Sequence, residues 1–140
     1  MELHIGMYLK LFKAGGAKMV SKQTAARRKG SQFETGVLKW LRSKGVTAER
    51  LRLAGKADEG DIVCFVSGRP YVLELKATAK LDLPGFWREA VVEAENYAKA
   101  RGITPTPPAY VIVKRRMAGL EQSWVIQDLD QWLKTETLRD

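Results

Sequence analysis

Between Gln32 and Lys44 the apolar positions recur at helical spacing. Taking Phe33 as zero and about 100° per residue, Val37 falls at about 40°, Leu41 at about 80°, Leu38 at about 140° and Trp40 at about 340°. Ser31 stands where a helix cap is expected, Glu34 follows three residues later as in a capping box, and Gly45 lies just past the last periodic residue. Lys39, Arg42 and Ser43 take the opposite face, whereas Glu34 falls at about 100°, inside the apolar arc. A carboxylate aimed at a core is costly unless it is paired or bound to a metal. The capping box is the simpler explanation for it.

After this helix the period shortens to two. Val46 to Ala54 predicts a strand, followed by the turn-rich GKADEG. Ile62 to Val66 and Tyr71 to Leu75 predict two core strands joined by Ser67-Gly68-Arg69-Pro70. From Pro84 to Arg101 the helical period returns, with Phe86, Ala90, Val91, Ala94, Tyr97 and Ala98 on one face and Gly102 as its stop. Beyond TPTPP, Tyr110 to Val113 and Trp124 to Gln127 predict two further strands, and Leu129 to Thr137 a short helix. The order α-β-β-β-α-β-β-α describes an α/β protein whose mixed β-sheet is flanked by helices. Residues 1–29 lack a clear period and predict a flexible basic N-terminal arm before a single domain over 30–140.

A chain of 140 residues with 45% hydrophobic and 29% charged residues has the length and composition of one soluble domain. No apolar run reaches the roughly 20 residues of a membrane span, and charges interrupt the opening segment where a signal peptide would be apolar. The expected location is intracellular, in cytoplasm or nucleoid, including those of a virus-infected host, with no membrane partner. The single cysteine, Cys64, and single histidine, His4, exclude a Cys/His zinc cluster and disfavour a histidine-based nucleophile system. Cys64 lies in an apolar run and reads as core filler. Catalysis is left to carboxylates, lysine and a metal.

The net charge of +8 is unevenly distributed. From Lys18 to Lys56, 11 Lys/Arg face 2 acids, whereas from Ala57 to Asp140, 11 face 13. Such a concentration suits a polyphosphate partner. Arg52 and Lys56 close the basic segment and are candidate DNA contacts.

The stretch GDIVCFVSGRPYVLELK carries a different signal. Strand alternation puts Glu74 and Lys76 on one face, and antiparallel pairing brings Asp61 to the same end of the hairpin. Mg²⁺ takes oxygen ligands and is commonly held by one or two carboxylates plus substrate phosphate, and a lysine beside it can orient water or stabilise a charged phosphorus centre. Glu-Leu-Lys alone is common and describes equally an exposed ion pair. Asp61, Glu74 and Lys76 with an inward Glu34 point together to metal-assisted phosphodiester hydrolysis.

These residues resemble the PD-(D/E)XK nuclease superfamily and, within it, the archaeal-type Holliday junction resolvases, which also occur in some viruses. The resemblance is carried by RRKGSQFETGVLKWLRSKGVTAERLRLAG and GDIVCFVSGRPYVLELKATAK, and more loosely by FWREAVVEAENYAKARG. It implies a restriction-endonuclease-like core. It also implies catalytic and metal-ligating roles for Glu34, Asp61 and Glu74, a catalytic Lys76, and a metal contact from the carbonyl of Leu75. Arg27, Arg28, Lys29, Gly30 and Ser31 match the motif that contacts the DNA backbone. The implied protein is a homodimeric, Mg²⁺-dependent endonuclease, with Mn²⁺ as a substitute, that nicks like-polarity strands of four-way junctions in recombination and repair. The alternatives are a related nuclease acting on flaps, nicked or duplex DNA, and a non-catalytic structure-specific DNA-binding protein. The chain departs from the family pattern at Ala54-Gly55, where many relatives carry Ser-Gly, near Ala90, where a glutamine is expected, and at Gly60, where proline is usual.

Overall fold

The computed structural model describes residues 24–51 and 58–137. The chain divides into two units, Met1–Gln32 and Phe33–Asp140. The described part of the first unit, residues 24–32, is helical and almost wholly exposed.

The first helix, α1, occupies residues 24–43. Its start differs from the sequence expectation, because residues 24–31 are already helical and Ser31 lies inside the helix. Residues 24–29 are rich in alanine, arginine and lysine, all strong helix formers, and they extend the helix although a polar stretch gives no amphipathic signal. Its end is as expected. Gly45 has φ 80°, its N–H donates to the Arg42 carbonyl at 3.0 Å, and that of Val46 reaches back to Leu41 at 3.0 Å, the paired bonds of a Schellman stop.

Strands β1 (Thr47–Arg50), β2 (Ile62–Val66), β3 (Arg69–Lys76), β4 (Ala109–Val113) and β5 (Trp124–Ile126) form one sheet in the order β1-β2-β3-β4-β5. All neighbours are antiparallel except β3 and β4, which are parallel and connected through α2 (Leu83–Arg101). The mixed sheet and the element order are those expected. The β2-β3 turn is tighter than expected: Ser67 and Gly68, at φ 52° and 75°, are its only turn residues, and Val66 already pairs with Arg69. Two positive φ values give the turn a twist that matches the strands. Asp82 caps α2 by accepting from the Gly85 N–H, and Gly102 ends it at φ 61°. The short helix α3 (Leu129–Thr137) follows β5, and the Gln131 side chain bonds both backbone groups of Ala109 at the start of β4.

Strand alternation divides the core in two. Ile62, Cys64, Leu73, Leu75 and Ile112 pack with Phe33 and Val37 of α1, while Val63, Val72, Val111 and Val113 pack with Ala90, Ala94 and Tyr97 of α2. Ile62, Val63, Val72, Val111 and Val113 are less than 2% exposed, and each such side chain contributes about 1.5–3 kcal/mol when fully buried. Residues 72, 74 and 76 share a strand face. Glu74 and Lys76 therefore continue the α2-facing row begun by Val72.

Candidate active site

Asp61 enters the sheet one residue before β2. Its N–H donates to the Leu73 carbonyl at 3.1 Å, its carbonyl accepts from the Leu51 N–H at 2.9 Å, and its Oδ2 accepts from the Leu75 N–H at 2.7 Å. The preceding Gly60, at φ 97°, is in a conformation closed to proline, whose ring holds φ near about −65°. A Cβ at Gly60 would stand 3.0 Å from Val72 and 3.4 Å from Glu93 Oε2. A glycine at this position thus allows both the positive φ and a close approach to α2.

Glu74 is 5% exposed in the middle of the sheet. Its Oε1 lies 3.1 Å from Lys76 Nζ, while its Oε2 is buried without a hydrogen-bond partner. Lys76 also reaches Glu89 of α2 at 2.9 Å, and its ammonium lies 5.1 Å from the centre of the Phe86 ring. Burial disfavours the charge of Lys76, but the hydrogen bond it donates to Glu89 and the charge of Glu74 outweigh it and raise the pKa. Lys76 is a held cation, suited to stabilising negative charge and unsuited to removing a proton.

Glu34 lies on α1, partly exposed, with its Oε2 3.2 Å from Arg50 of β1. It also sits within hydrogen-bonding and electrostatic reach of Asp61. The capping box is not available as its explanation, because the helix continues through Ser31. Desolvation, then the charges of Glu74 and Glu34, push Asp61 up to about 8 against the opposing Leu75 N–H. A carboxyl so crowded by its own kind favours a proton or a cation.

The structure thus brings Glu34, Asp61, Glu74, the backbone of Leu75 and Lys76 to one end of the β2-β3 pair. Arg27, Arg28, Lys29, Gly30 and Ser31 lie on the helical part of the first unit, with the arginines, Lys29 and Ser31 exposed. Arg52, Lys56 and Ala54-Gly55 lie outside the described residues.

Two carboxylates of α2 were missed by sequence reasoning. Glu93 is 4% exposed, with Oε2 buried and unpartnered, and among the described residues Glu74, Glu89 and Glu93 offer ligand atoms within 4.8 Å of one another. Burial, then contact with Glu74, pushes Glu93 up to about 10. The signal was present in the helical period. Taking Ala90 as zero, Phe86 falls at about −40°, Tyr97 at about −20°, Ala94 at about 40° and Glu93 at about −60°, next to the apolar stripe. Ala90, where a glutamine was expected, is 1% exposed in the core, and the polar group facing Glu74 comes from Glu93 one turn later.

Fold and site together define a mixed-sheet α/β protein with a carboxylate-rich, lysine-containing cluster between its central strands and two helices. The chain is similar to a solved structure of Archaeoglobus fulgidus Hjc, described as a Holliday junction resolvase from an archaeal hyperthermophile, with 23% sequence identity over 76% of this chain and 88% of that one, at a TM-score of 0.46. No protein-family model matches the chain, and no curated protein does.

Proposed function

We propose that this chain is a divalent-metal-dependent endodeoxyribonuclease that hydrolyses phosphodiester bonds in branched DNA, with the four-way junction as its substrate. The observation that carries the chemistry is the convergence of Asp61, Glu74 and Lys76 on one hairpin end with Glu34 beside them. Ion-pairing needs on a sheet face would be met by Glu74 and Lys76 alone. The burial of the Glu74 carboxyl and the raised pKa of Asp61 support a site that favours a cation. All side-chain donors are carboxylate oxygens, the type that Mg²⁺ and Mn²⁺ prefer.

Asp61, Glu74 and Glu34 would hold the metal, with the Leu75 carbonyl as a further oxygen. When bound, Mg²⁺ supplies an acidified water and neutralises charge on the phosphate. Lys76, kept protonated by Glu74 and Glu89, would supply positive charge to a phosphate held at this cluster. The Leu75 N–H fixes the Asp61 carboxyl against the β3 backbone, so the site is aimed by the sheet register itself.

The junction as substrate, and a homodimer that cuts paired strands, rest on the Arg-Lys-Gly-Ser-x-x-Glu motif formed by Arg28, Lys29, Gly30, Ser31 and Glu34 and on its family resemblance. A dimer places equivalent sites across a symmetric substrate. The test is a cleavage and binding assay on Asp61→Asn and Glu74→Gln. Both variants should lose Mg²⁺-dependent cleavage while binding junction DNA within about threefold of the parent. Parental cleavage rates in either variant would remove the assigned site.

A further inference from the structure

We propose that the loop joining β4 to β5, residues 114–119, distinguishes branched DNA from linear duplex, with Arg116 on a backbone phosphate and Met117 packed against bases unstacked at the branch. The inference rests on the nuclease reading and deepens it by naming residues that choose the substrate. Both ends of the loop are fixed beside the catalytic cluster. Val113 pairs with Lys76 where the two parallel strands end, and the Lys114 N–H donates to the Lys76 carbonyl at 2.9 Å. At the other end Leu120 packs on the α1 side of the core. A Cβ at Gly36, two residues after Glu34, would stand 3.2 Å from Leu120 Cδ1. A phosphodiester held by the carboxylates and Lys76 therefore lies beside this loop.

Charge and exposure indicate what the loop can hold. Lys114, Arg115 and Arg116 are consecutive, and among the described residues none of them forms an ion pair, whereas Lys76 and Arg50 are engaged by Glu74, Glu89 and Glu34. Arg115 lies over the Trp124 ring of β5, 4.3 Å from its centre, which braces the loop, and Arg116 beyond it is exposed. Arginines on phosphates position DNA without reading it. Met117 supplies the discrimination. It is 100% exposed at φ 55°, a conformation uncommon in residues other than glycine, asparagine, aspartate and histidine. The turn thus holds out a flexible, polarizable apolar side chain that packs on nothing in its own fold. Apolar side chains, methionine among them, wedge into partly unstacked base steps. A branch point interrupts base stacking, and a continuous duplex does not.

The experiment is equilibrium binding of the full chain, in EDTA, to a four-way junction carrying 2-aminopurine at the branch and to a linear duplex of the same sequence. The parent should raise the 2-aminopurine fluorescence at least twofold and prefer the junction. Met117→Ala should lose that rise and at least tenfold of the preference while binding duplex within twofold of the parent, and Met117→Leu should keep both. Arg116→Ala should weaken binding to both DNAs at least threefold. Unchanged fluorescence and preference in Met117→Ala, or unchanged affinity in Arg116→Ala, overturns this role for the loop and leaves the metal-dependent nuclease reading intact. A parent that binds junction and duplex alike overturns both this role and the junction assignment.

Discussion

The Leu75 N–H donates to Asp61 Oδ2 at 2.7 Å, tying a carboxyl at the start of one strand to the backbone of the next, between Glu74 and Lys76. The hydrogen bond holds Asp61 in place although Glu74 and Glu34 oppose its ionisation.

Asp61→Asn should therefore stabilise the protein in the absence of divalent cations. The amide oxygen still accepts from Leu75, and the like-charge repulsion is gone. A rise of about 3 °C in Tm is expected from a gain of about 1 kcal/mol, by thermal denaturation in EDTA. Asp61→Ala should fall below Asp61→Asn, because an unsatisfied Leu75 N–H costs about 1–3 kcal/mol. A lower Tm for Asn than for Ala would contradict this role of the hydrogen bond.

The pH dependence of stability follows from the same crowding. Unfolded carboxyls ionise at about 4, whereas in the folded chain Asp61 is raised to about 8 and Glu93 to about 10. Between these limits the folded state holds protons that the unfolded chain has released. Their contribution is fully present below about pH 4 and is lost as pH rises, through about 8 for Asp61 and about 10 for Glu93. In EDTA, Tm should fall from pH 5 to pH 9, and added Mg²⁺ should raise Tm more at pH 9 than at pH 5. A Mg²⁺ effect that shrinks with pH would be inconsistent with cation binding to these carboxyls.

Cys64 should be inert in the folded protein. It is 6% exposed, and burial pushes its thiol up to about 11, so little thiolate forms at neutral pH. A chromogenic disulfide reagent should react with it in denaturant and at least a hundredfold more slowly without. Rapid labelling of native protein would place Cys64 outside the core.

If Arg28 makes one phosphate contact, as the family resemblance implies, Arg28→Ala should weaken junction binding and lower the slope of log affinity against log salt by about one. Cleavage of bound substrate should be unchanged. An unaltered salt slope would take Arg28 out of the DNA contacts.

Much of the fold was legible because its elements obey one period each. The β2-β3 hairpin, α2 with its Gly102 stop, β4 and α3 appear within a residue or two of their sequence-derived bounds. The start of α1 was hidden because a polar helix leaves no hydrophobic period, and because Ser31 and Glu34 imitate a cap. For the site, alternation along β3 placed Glu74 beside Lys76 and helical phase placed Glu34 inward. Glu93 escaped because only the apolar positions of α2 were followed, although its phase puts it beside Phe86 and Tyr97. The neighbours that give Glu93 its chemistry lie on β3, and only the crossover between β3 and β4 brings them together.

The most direct measurement of the central claim is cleavage of a four-way DNA junction, with each of the four strands end-labelled in turn, in Mg²⁺ and in EDTA, beside a linear duplex of the same sequence. The account predicts Mg²⁺-dependent nicks in two strands of like polarity at symmetric positions, and little cutting of the duplex. Equal cleavage of linear duplex would contradict the junction assignment, and cleavage that persists in EDTA would contradict the metal site.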